Sequence, residues 1–170
     1  MYQAKADGGR GYRIFDPSMR AAVVDRAELE ADLRYAADRG QLRVRYQPIV
    51  DLRTGRVTGV EALVRWQHPT RGLLAPGSFV PLAEETGHLV GIGAWVLRHA
   101  CQQAREWQAN IPGHQHLGIS VNLSAIQLSQ PHLAAEVAQV LAETGLQPGH
   151  LTLELTESLL IAETDTTAIT

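Results

Sequence analysis

One stretch of the sequence decides the fold, Glu61-Ala62-Leu63-Val64-Arg65-Trp66. Apolar and polar residues alternate through it with a period of two, which predicts a β-strand. The alternation leaves an acid and a base, Glu61 and Arg65, on the same face of that strand. Charges on a mostly apolar strand are costly to bury without compensation. The pair therefore indicates a structural ion pair, an edge strand with a wet polar face, or a functional site.

The composition is that of a globular domain. The 170 residues suffice for one domain with a real core, and 45% hydrophobic with 19% charged residues is typical of soluble proteins. The net charge of −3 gives no general attraction for nucleic acid, so no nucleic acid polymer is expected as a partner. The single cysteine, Cys101, excludes an internal disulfide and a cysteine-based zinc site, and it is compatible with a cytoplasmic setting.

The sequence contains no segment that we expect to cross a membrane. The longest strongly apolar run, residues 89–97, is too short to span a bilayer. The first residues carry no apolar core of a secretion signal. We therefore expect a cytoplasmic protein, and a membrane anchor in a longer parent protein stays open.

The first half of the sequence predicts a helix and two strands joined by a tight turn. Residues 25–39 carry a rough apolar stripe that predicts a helix. Residues 42–52 alternate as a strand, but Pro48 cannot donate to a strand ladder, so this strand must lie at an edge or carry a bulge. Thr54-Gly55 forms a short turn into the Glu61 strand, and a connection that short joins antiparallel strands.

The second half of the sequence predicts helices that alternate with two further strands. The tryptophans and Cys101 of its long helix are expected to pack in the core. A strand, a helix and a strand joined by a short loop form a right-handed parallel unit. In chain order we expect a loop over residues 68–77, a short helix capped by Ser78 and ended by Gly87, a helix to about residue 109, a strand over 117–123, a helix with Pro131 in its first turn and Gly145 at its end, and a strand over 151–156.

Three of these strands each place one oxygen-bearing side chain on a polar face, namely Glu61, Asn122 and Glu154. In a barrel of parallel strands the carboxyl ends of the strands converge on one site. Two carboxylates and an amide carbonyl are hard oxygen donors, which suit Mg²⁺, Mn²⁺ or Ca²⁺ better than zinc. The alternative is three unrelated polar residues, each satisfied by a neighbour such as Arg65 or a hydroxyl.

The wider sequence resembles EAL domains, which are bacterial cyclic-di-GMP phosphodiesterases. One motif of this kind would be weak evidence, but five in the family's order are specific, and they extend from about residue 28 to the C-terminus. The motifs are Tyr46-Gln47-Pro48-Ile49-Val50, Glu61-Ala62-Leu63-Val64-Arg65-Trp66, Phe79-Val80-Pro81-Leu82-Ala83-Glu84-Glu85-Thr86-Gly87, Ser120-Val121-Asn122-Leu123-Ser124 and Glu154-Leu155-Thr156-Glu157-Ser158.

The resemblance implies an α/β fold, a modified TIM barrel whose first strand runs antiparallel. A full barrel takes roughly 250 residues, so we expect a partial (β/α) barrel that is truncated after about four strands. Residues 25–170 would be the N-terminal half of an EAL domain. Residues 1–20 resemble the end of a preceding GGDEF (diguanylate cyclase) domain and a linker, although Gly8-Gly9-Arg10-Gly11 departs from the usual Gly-Arg-Asn.

The resemblance also implies roles for individual residues of the metal site. Glu61, Asn122 and Glu154 would bind Mg²⁺ or Mn²⁺, with Glu61 counted among the catalytic residues. Glu157, also placed with the catalytic residues, would brace a loop next to the metals. In this family an Asp-Asp pair, a lysine and a further glutamate complete the site, and all would lie beyond Thr170.

The resemblance further names the groups that would contact the nucleotide. Arg65 would hold a phosphate of cyclic-di-GMP, which suits its forked donors. Gln47, Leu63 and the loop near Pro76 would line the nucleotide site. The implied partners are cyclic-di-GMP, an upstream GGDEF domain in the same chain, and a second copy in a homodimer of the intact protein.

The function implied is hydrolysis of cyclic-di-GMP to linear pGpG by metal-activated water in the intact protein, with the 170-residue fragment inactive on its own. A non-catalytic EAL domain that binds cyclic-di-GMP as a sensor is the first alternative. A protein-interaction module without a nucleotide role is the second. A glycosidase that uses Glu61 and Glu154 as its two acids is a third, against which the wider motif set argues.

Overall fold

Five strands form one mixed sheet in the computed structural model, which describes residues 17–155. The sheet order is β1-β2-β4-β5, with the short β3 paired to β2. The pairs β1–β2 and β2–β3 are antiparallel, whereas β2–β4 and β4–β5 are parallel. Within the described residues the sheet is open. The strands are β1 (Leu42–Asp51), β2 (Arg56–His68), β3 (Gly72–Leu74), β4 (Gly118–Leu123) and β5 (Leu151–Leu155).

The antiparallel β1–β2 hairpin confirms the prediction made from the tight turn. The Asp51 carboxylate accepts hydrogen bonds from the backbone N–H groups of Thr54 at 2.8 Å and Arg53 at 2.9 Å. Hydrogen bonds from Thr54, and then from Arg53, hold the pKa of the Asp51 carboxyl below its usual value. Pro48 lies in the outermost strand of the described sheet, and the register shifts between Ile49 and Val50. The strand that contains Pro48 therefore both lies at an edge of the described sheet and carries an irregularity in its register, the two features expected of a strand with a proline.

Helices cover the apolar face of the sheet, and the long helix predicted before residue 109 is confirmed. No helix between residues 17 and 155 is long and apolar enough to cross a membrane. The helices are α1 (Pro17–Leu33), α2 (Val80–Glu85), α3 (Leu89–Asn110), α4 (Ala125–Leu128) and α5 (Leu133–Thr144), with 3₁₀ turns at Pro76–Ser78 and Pro148–His150.

The first helix differs from its prediction at both ends. It runs over Pro17–Leu33 instead of residues 25–39. After Leu33 the backbone N–H of Ala36 donates to the Leu33 carbonyl at 3.1 Å, so the chain tightens into turns. Ala36 is nevertheless fully buried. The apolar stripe was real, but its later members pack from a turn and not from a helix.

Three local predictions in the second half need correction. Ser78 does not cap α2, because Phe79 occupies the N-cap and no side chain bonds there. Pro131 precedes the N-cap residue of α5, His132, and so stands outside its first turn. The loop predicted over residues 68–77 contains β3, which is too short to show an alternating pattern. Of the last predicted strand, Thr156 lies outside the described residues.

The core lies between the sheet and α3, and its centre is Trp66 at the end of β2. Trp66 and Phe79 have no exposed surface, and their rings meet edge to face with centroids 5.7 Å apart. The indole N–H of Trp66 donates to the side-chain oxygen of Gln41 at 3.1 Å. Cys101 is fully buried as well, and burial raises the pKa of its thiol to about 11, which confirms that it is a packing residue.

Candidate functional site

The polar faces of β2 and β4 bring Glu61 and Asn122 into contact. The parallel ladder aligns Glu61 with Ser120, and Asn122 stands two residues further along β4 on the same face. The amide nitrogen of Asn122 donates to Oε1 of Glu61 at 2.7 Å. Asn122 is exposed and Glu61 is half-buried, so both remain accessible from the polar side of the sheet.

Glu154 joins this pair from the next strand. In the β4–β5 ladder Glu154 is the direct partner of Asn122, and neighbouring strands lie about 4.8 Å apart. The three side chains therefore occupy one face of three adjacent strands, as the sequence predicted. We refer to Glu61, Asn122 and Glu154 as the oxygen-donor group.

The chemistry of the oxygen-donor group fits a hard divalent cation. It offers two carboxylates and one amide carbonyl, the ligand types that Mg²⁺ and Mn²⁺ take. Within residues 17–155, three or more His, Cys, Asp or Glu side chains do not gather closely enough to hold a metal. An ion held by the oxygen-donor group would therefore depend on Asn122 as well as on the two carboxylates.

Arg65 shares the face of Glu61 but does not pair with it. Its guanidinium donates to the carbonyl of Val64 at 2.8 Å, and the side chain is half-buried. That bond uses one of five guanidinium N–H donors. Among the ion pairs of residues 17–155, none involves Arg65 or Glu61. The structural ion pair, one explanation for an acid and a base on this strand, is thus not formed in the described structure.

The residues predicted to line a nucleotide site divide between two positions. Gln47 is exposed on β1 directly opposite Glu61. Leu63 and Pro76 line a cavity of about 230 Å³, and Asn122 lines it as well. The structure thus places one member of the oxygen-donor group beside two of the predicted nucleotide contacts. Glu157 lies outside the described residues.

The same cavity has polar lining residues that the sequence did not single out as site residues. Besides apolar side chains, its lining includes Glu84, Ser124 and Gln127. Ser124 and Gln127 form a reciprocal capping box at the start of α4. The Ser-x-x-Gln pattern is a known signature of such a helix start and could have revealed both residues. Gly93 leaves room for them, because a Cβ there would stand 1.9 Å from the Gln127 amide nitrogen.

A larger groove of about 950 Å³ runs beside β1 on the helical side, and it contains none of the predicted site residues. Its aromatic members include Tyr46, Trp95 and His99. Burial raises the pKa of Tyr46 to about 12, so its phenol stays neutral near pH 7. The Trp95 and His99 rings stack with centroids 3.8 Å apart, in keeping with the packing role predicted for Trp95.

Comparisons with known proteins agree with the motifs. A sequence profile described as the EAL domain matches residues 30–170, and the chain therefore belongs to the EAL domain family. It is 46% identical, over 169 residues, to a Pseudomonas aeruginosa protein named bifunctional diguanylate cyclase/cyclic di-GMP phosphodiesterase MucR. That match covers 99% of this chain and 24% of the relative. The chain spans 19–24% of the length of the first curated relatives.

Solved structures share the fold. The structure described as the PaMucR phosphodiesterase in a c-di-GMP complex matches with a TM-score of 0.75 and 47% identity, over 82% of this chain and 56% of that one. The FimX EAL domain from Pseudomonas aeruginosa, bound to c-di-GMP, matches with a TM-score of 0.70 and 25% identity, over 81% and 54%. The predicted α/β fold class is confirmed. The described sheet is open, its first two strands are antiparallel, and it matches part of the TIM-barrel domains of these neighbours.

Proposed function

We propose that the protein carrying this chain hydrolyses cyclic-di-GMP to linear pGpG. The observation that carries the proposal is the contact of Asn122 with Glu61, with Glu154 directly beside them on β5. Three oxygen-bearing side chains that have no basic partner within residues 17–155 favour a cation at this point. The MucR relative, named as a cyclic di-GMP phosphodiesterase, supports the substrate.

Each side chain of the site would have a defined task. Glu61, Asn122 and Glu154 would hold Mg²⁺ or Mn²⁺, which when bound supplies the Lewis acidity that makes water nucleophilic at neutral pH. Arg65 would hold the phosphodiester through its remaining donors. Leu63 and Pro76 would position the nucleotide from the adjoining cavity. In the reaction a water oxygen joins phosphorus, the bond from phosphorus to the ribose oxygen breaks, and the released oxygen takes up a proton.

The first test replaces Glu61 by glutamine in the full-length protein. The substitution keeps the shape of the side chain but removes its negative charge, so the rate of pGpG formation with Mg²⁺ or Mn²⁺ should fall on the order of 10²-fold or more. Chromatographic separation of cyclic-di-GMP, pGpG and GMP measures the rate. Ser120→Ala, at the position aligned with Glu61 on β4, is the control. Equal rates for the wild type and Glu61→Gln would contradict the proposal.

The same assay separates the enzyme from a sensor. The FimX EAL domain, a structural neighbour, is described as bound to c-di-GMP. Tight binding of cyclic-di-GMP by the wild type without pGpG formation at any metal concentration would favour the non-catalytic alternative. Retained binding together with metal-dependent hydrolysis would support the phosphodiesterase.

The second test concerns Arg65. Arg65→Ala in the full-length protein should weaken cyclic-di-GMP binding about tenfold or more, since a hydrogen bond to a charged group contributes about 1.5–3 kcal/mol. The melting temperature should stay nearly unchanged, because Arg65 forms no ion pair within residues 17–155. Isothermal calorimetry and thermal unfolding measure the two quantities. If Arg65→Ala lowers the melting temperature and leaves the affinity for cyclic-di-GMP unaltered, Arg65 has a structural role instead of a role in binding.

Two wider features complete the proposal. Residues 1–20 would be the end of a GGDEF domain and its linker, which accords with the bifunctional name of the MucR relative. Residues 1–16 lie outside the described structure. We also propose that the full-length protein is a homodimer, which light scattering at several protein concentrations would test.

A further inference from the structure

Two further arginines, Arg43 and Arg45 on β1, share the polar face of the oxygen-donor group. The β1–β2 register places Arg43 opposite Arg65, Arg45 opposite Leu63, and Gln47 opposite Glu61. Side chains that are direct partners in an antiparallel ladder point to the same side of the sheet. Arg45 therefore stands beside Leu63 and diagonal to both Glu61 and Arg65.

This concentration of positive charge is unusual for the chain. The net charge is −3, and like charges directly opposite each other, as Arg43 and Arg65 are, destabilise a strand pair. Four arginines elsewhere in the described chain pair with acids, as Arg71 does with Asp25 at 2.6 Å. Within residues 17–155 none of the three arginines on the polar face has an acidic partner. An anionic ligand would offset this repulsion.

The two arginines of β1 are not equivalent. The Arg43 guanidinium donates to the carbonyls of Gly40 and Leu42, each at 2.7 Å, which turns it back toward the start of the strand. The Arg45 side chain is exposed and makes no hydrogen bond to residues 17–155. Of the two arginines on β1, Arg45 therefore has all five of its donors available to a ligand.

We propose that Arg45 binds the second phosphodiester of the cyclic dinucleotide whose first phosphodiester is held by Arg65; this rests on the proposed function. A cyclic dinucleotide carries two phosphodiester groups with one negative charge each. Diagonal partners across two strands have Cα atoms about 7–8 Å apart, and both side chains are long. Two guanidiniums so placed can reach two phosphates of one ligand, and the arginine fork suits each of them.

The test measures cyclic-di-GMP affinity by calorimetry in the full-length protein, with Ca²⁺ present to support binding. Arg45→Ala should weaken binding about tenfold or more, and Arg45→Lys should recover part of the loss. Arg53→Ala is the matched control, because it removes the same charge from the far turn of the same hairpin and should leave the affinity unchanged. In turnover assays Arg45→Ala should raise KM with little change in kcat, as expected for a contact equal in ground and transition states.

The phosphate assignment has its own readout. The affinity of the wild type should fall more steeply with added KCl than that of Arg45→Ala, since one charge contact is missing in the variant. Equal salt dependences would overturn the phosphate contact. If Arg45→Ala and Arg53→Ala both bind cyclic-di-GMP as tightly as the wild type does, Arg45 does not bind the ligand. The proposed function would be unaffected by that result. A wild type that does not bind cyclic-di-GMP at all would overturn both.

Discussion

Purified on its own, the 170-residue chain should hydrolyse cyclic-di-GMP at least about 10³-fold more slowly than the full-length protein. When catalytic groups act as a unit, removing some of them loses most of the reaction rate. The described sheet is open, and the chain covers only 56% of the matched MucR phosphodiesterase structure. The resemblance to the family implies further acids and a lysine that would complete the site. The oxygen-donor group alone offers two carboxylates and an amide.

The open sheet has a physical cost as well. Leu155 at the end of β5 is 51% exposed, and the outer edges of β1 and β5 have no partner strand within residues 17–155. Unpaired edges are templates for association. We expect the isolated chain to aggregate or to pair through an edge, which light scattering would show during the assay. Product formed by a monodisperse monomer at a rate near that of the full-length protein would contradict this prediction.

Trp66→Ala should destabilise the EAL domain of the full-length protein by about 3–5 kcal/mol, the usual range for removing a buried aromatic ring. The side chain is fully buried, packs edge to face with Phe79, and donates to Gln41. The alanine variant leaves a cavity where β2, the segment after α1 and the start of α2 meet. For a domain of this size the melting temperature should fall on the order of 10 °C.

Trp66→Phe is the matched variant for this prediction. It keeps an aromatic ring against Phe79 but loses the hydrogen bond to Gln41, which contributes about 1 kcal/mol. Its melting temperature should therefore lie between those of the wild type and Trp66→Ala. Thermal unfolding followed by circular dichroism measures all three. A melting temperature for Trp66→Ala within about 2 °C of the wild type would show that Trp66 is not central to the core.

Local chemistry explains which elements could be predicted from the sequence. The β1–β2 hairpin follows from alternation on both sides of a short Thr54-Gly55 turn, and the long helix α3 follows from a sustained apolar stripe. The helix α1 was placed wrongly because residues 20–28 are all exposed and carry no periodic signal. The strand β3 has only three residues and depends on its partner β2. A tertiary contact, and not local preference, determines β3.

The candidate site divides in the same way. Glu61, Asn122 and Glu154 could be named because each lies on the polar face of an alternating strand, and alternation alone assigns a face. The register between the strands could not be predicted from the sequence. Only the structure shows that Asn122 contacts Glu61 and is aligned with Glu154. Arg45 was not predicted as a site residue for the same reason. A basic residue on an edge strand is unremarkable until its partner across the ladder is known.

The reversed direction of β1 has a consequence for where the protein tolerates insertion. The start of β1 lies at the same end of the sheet as the carboxyl ends of β2, β4 and β5, because β1 alone of these strands runs the other way. The hairpin turn after Asp51 therefore lies at the opposite end, and Leu52 within it is 97% exposed. We expect a fluorophore or fused domain inserted into that turn to stay remote from the carboxyl ends of β2, β4 and β5. The same insertion near Gly40 would lie at the end of the sheet where those strands finish.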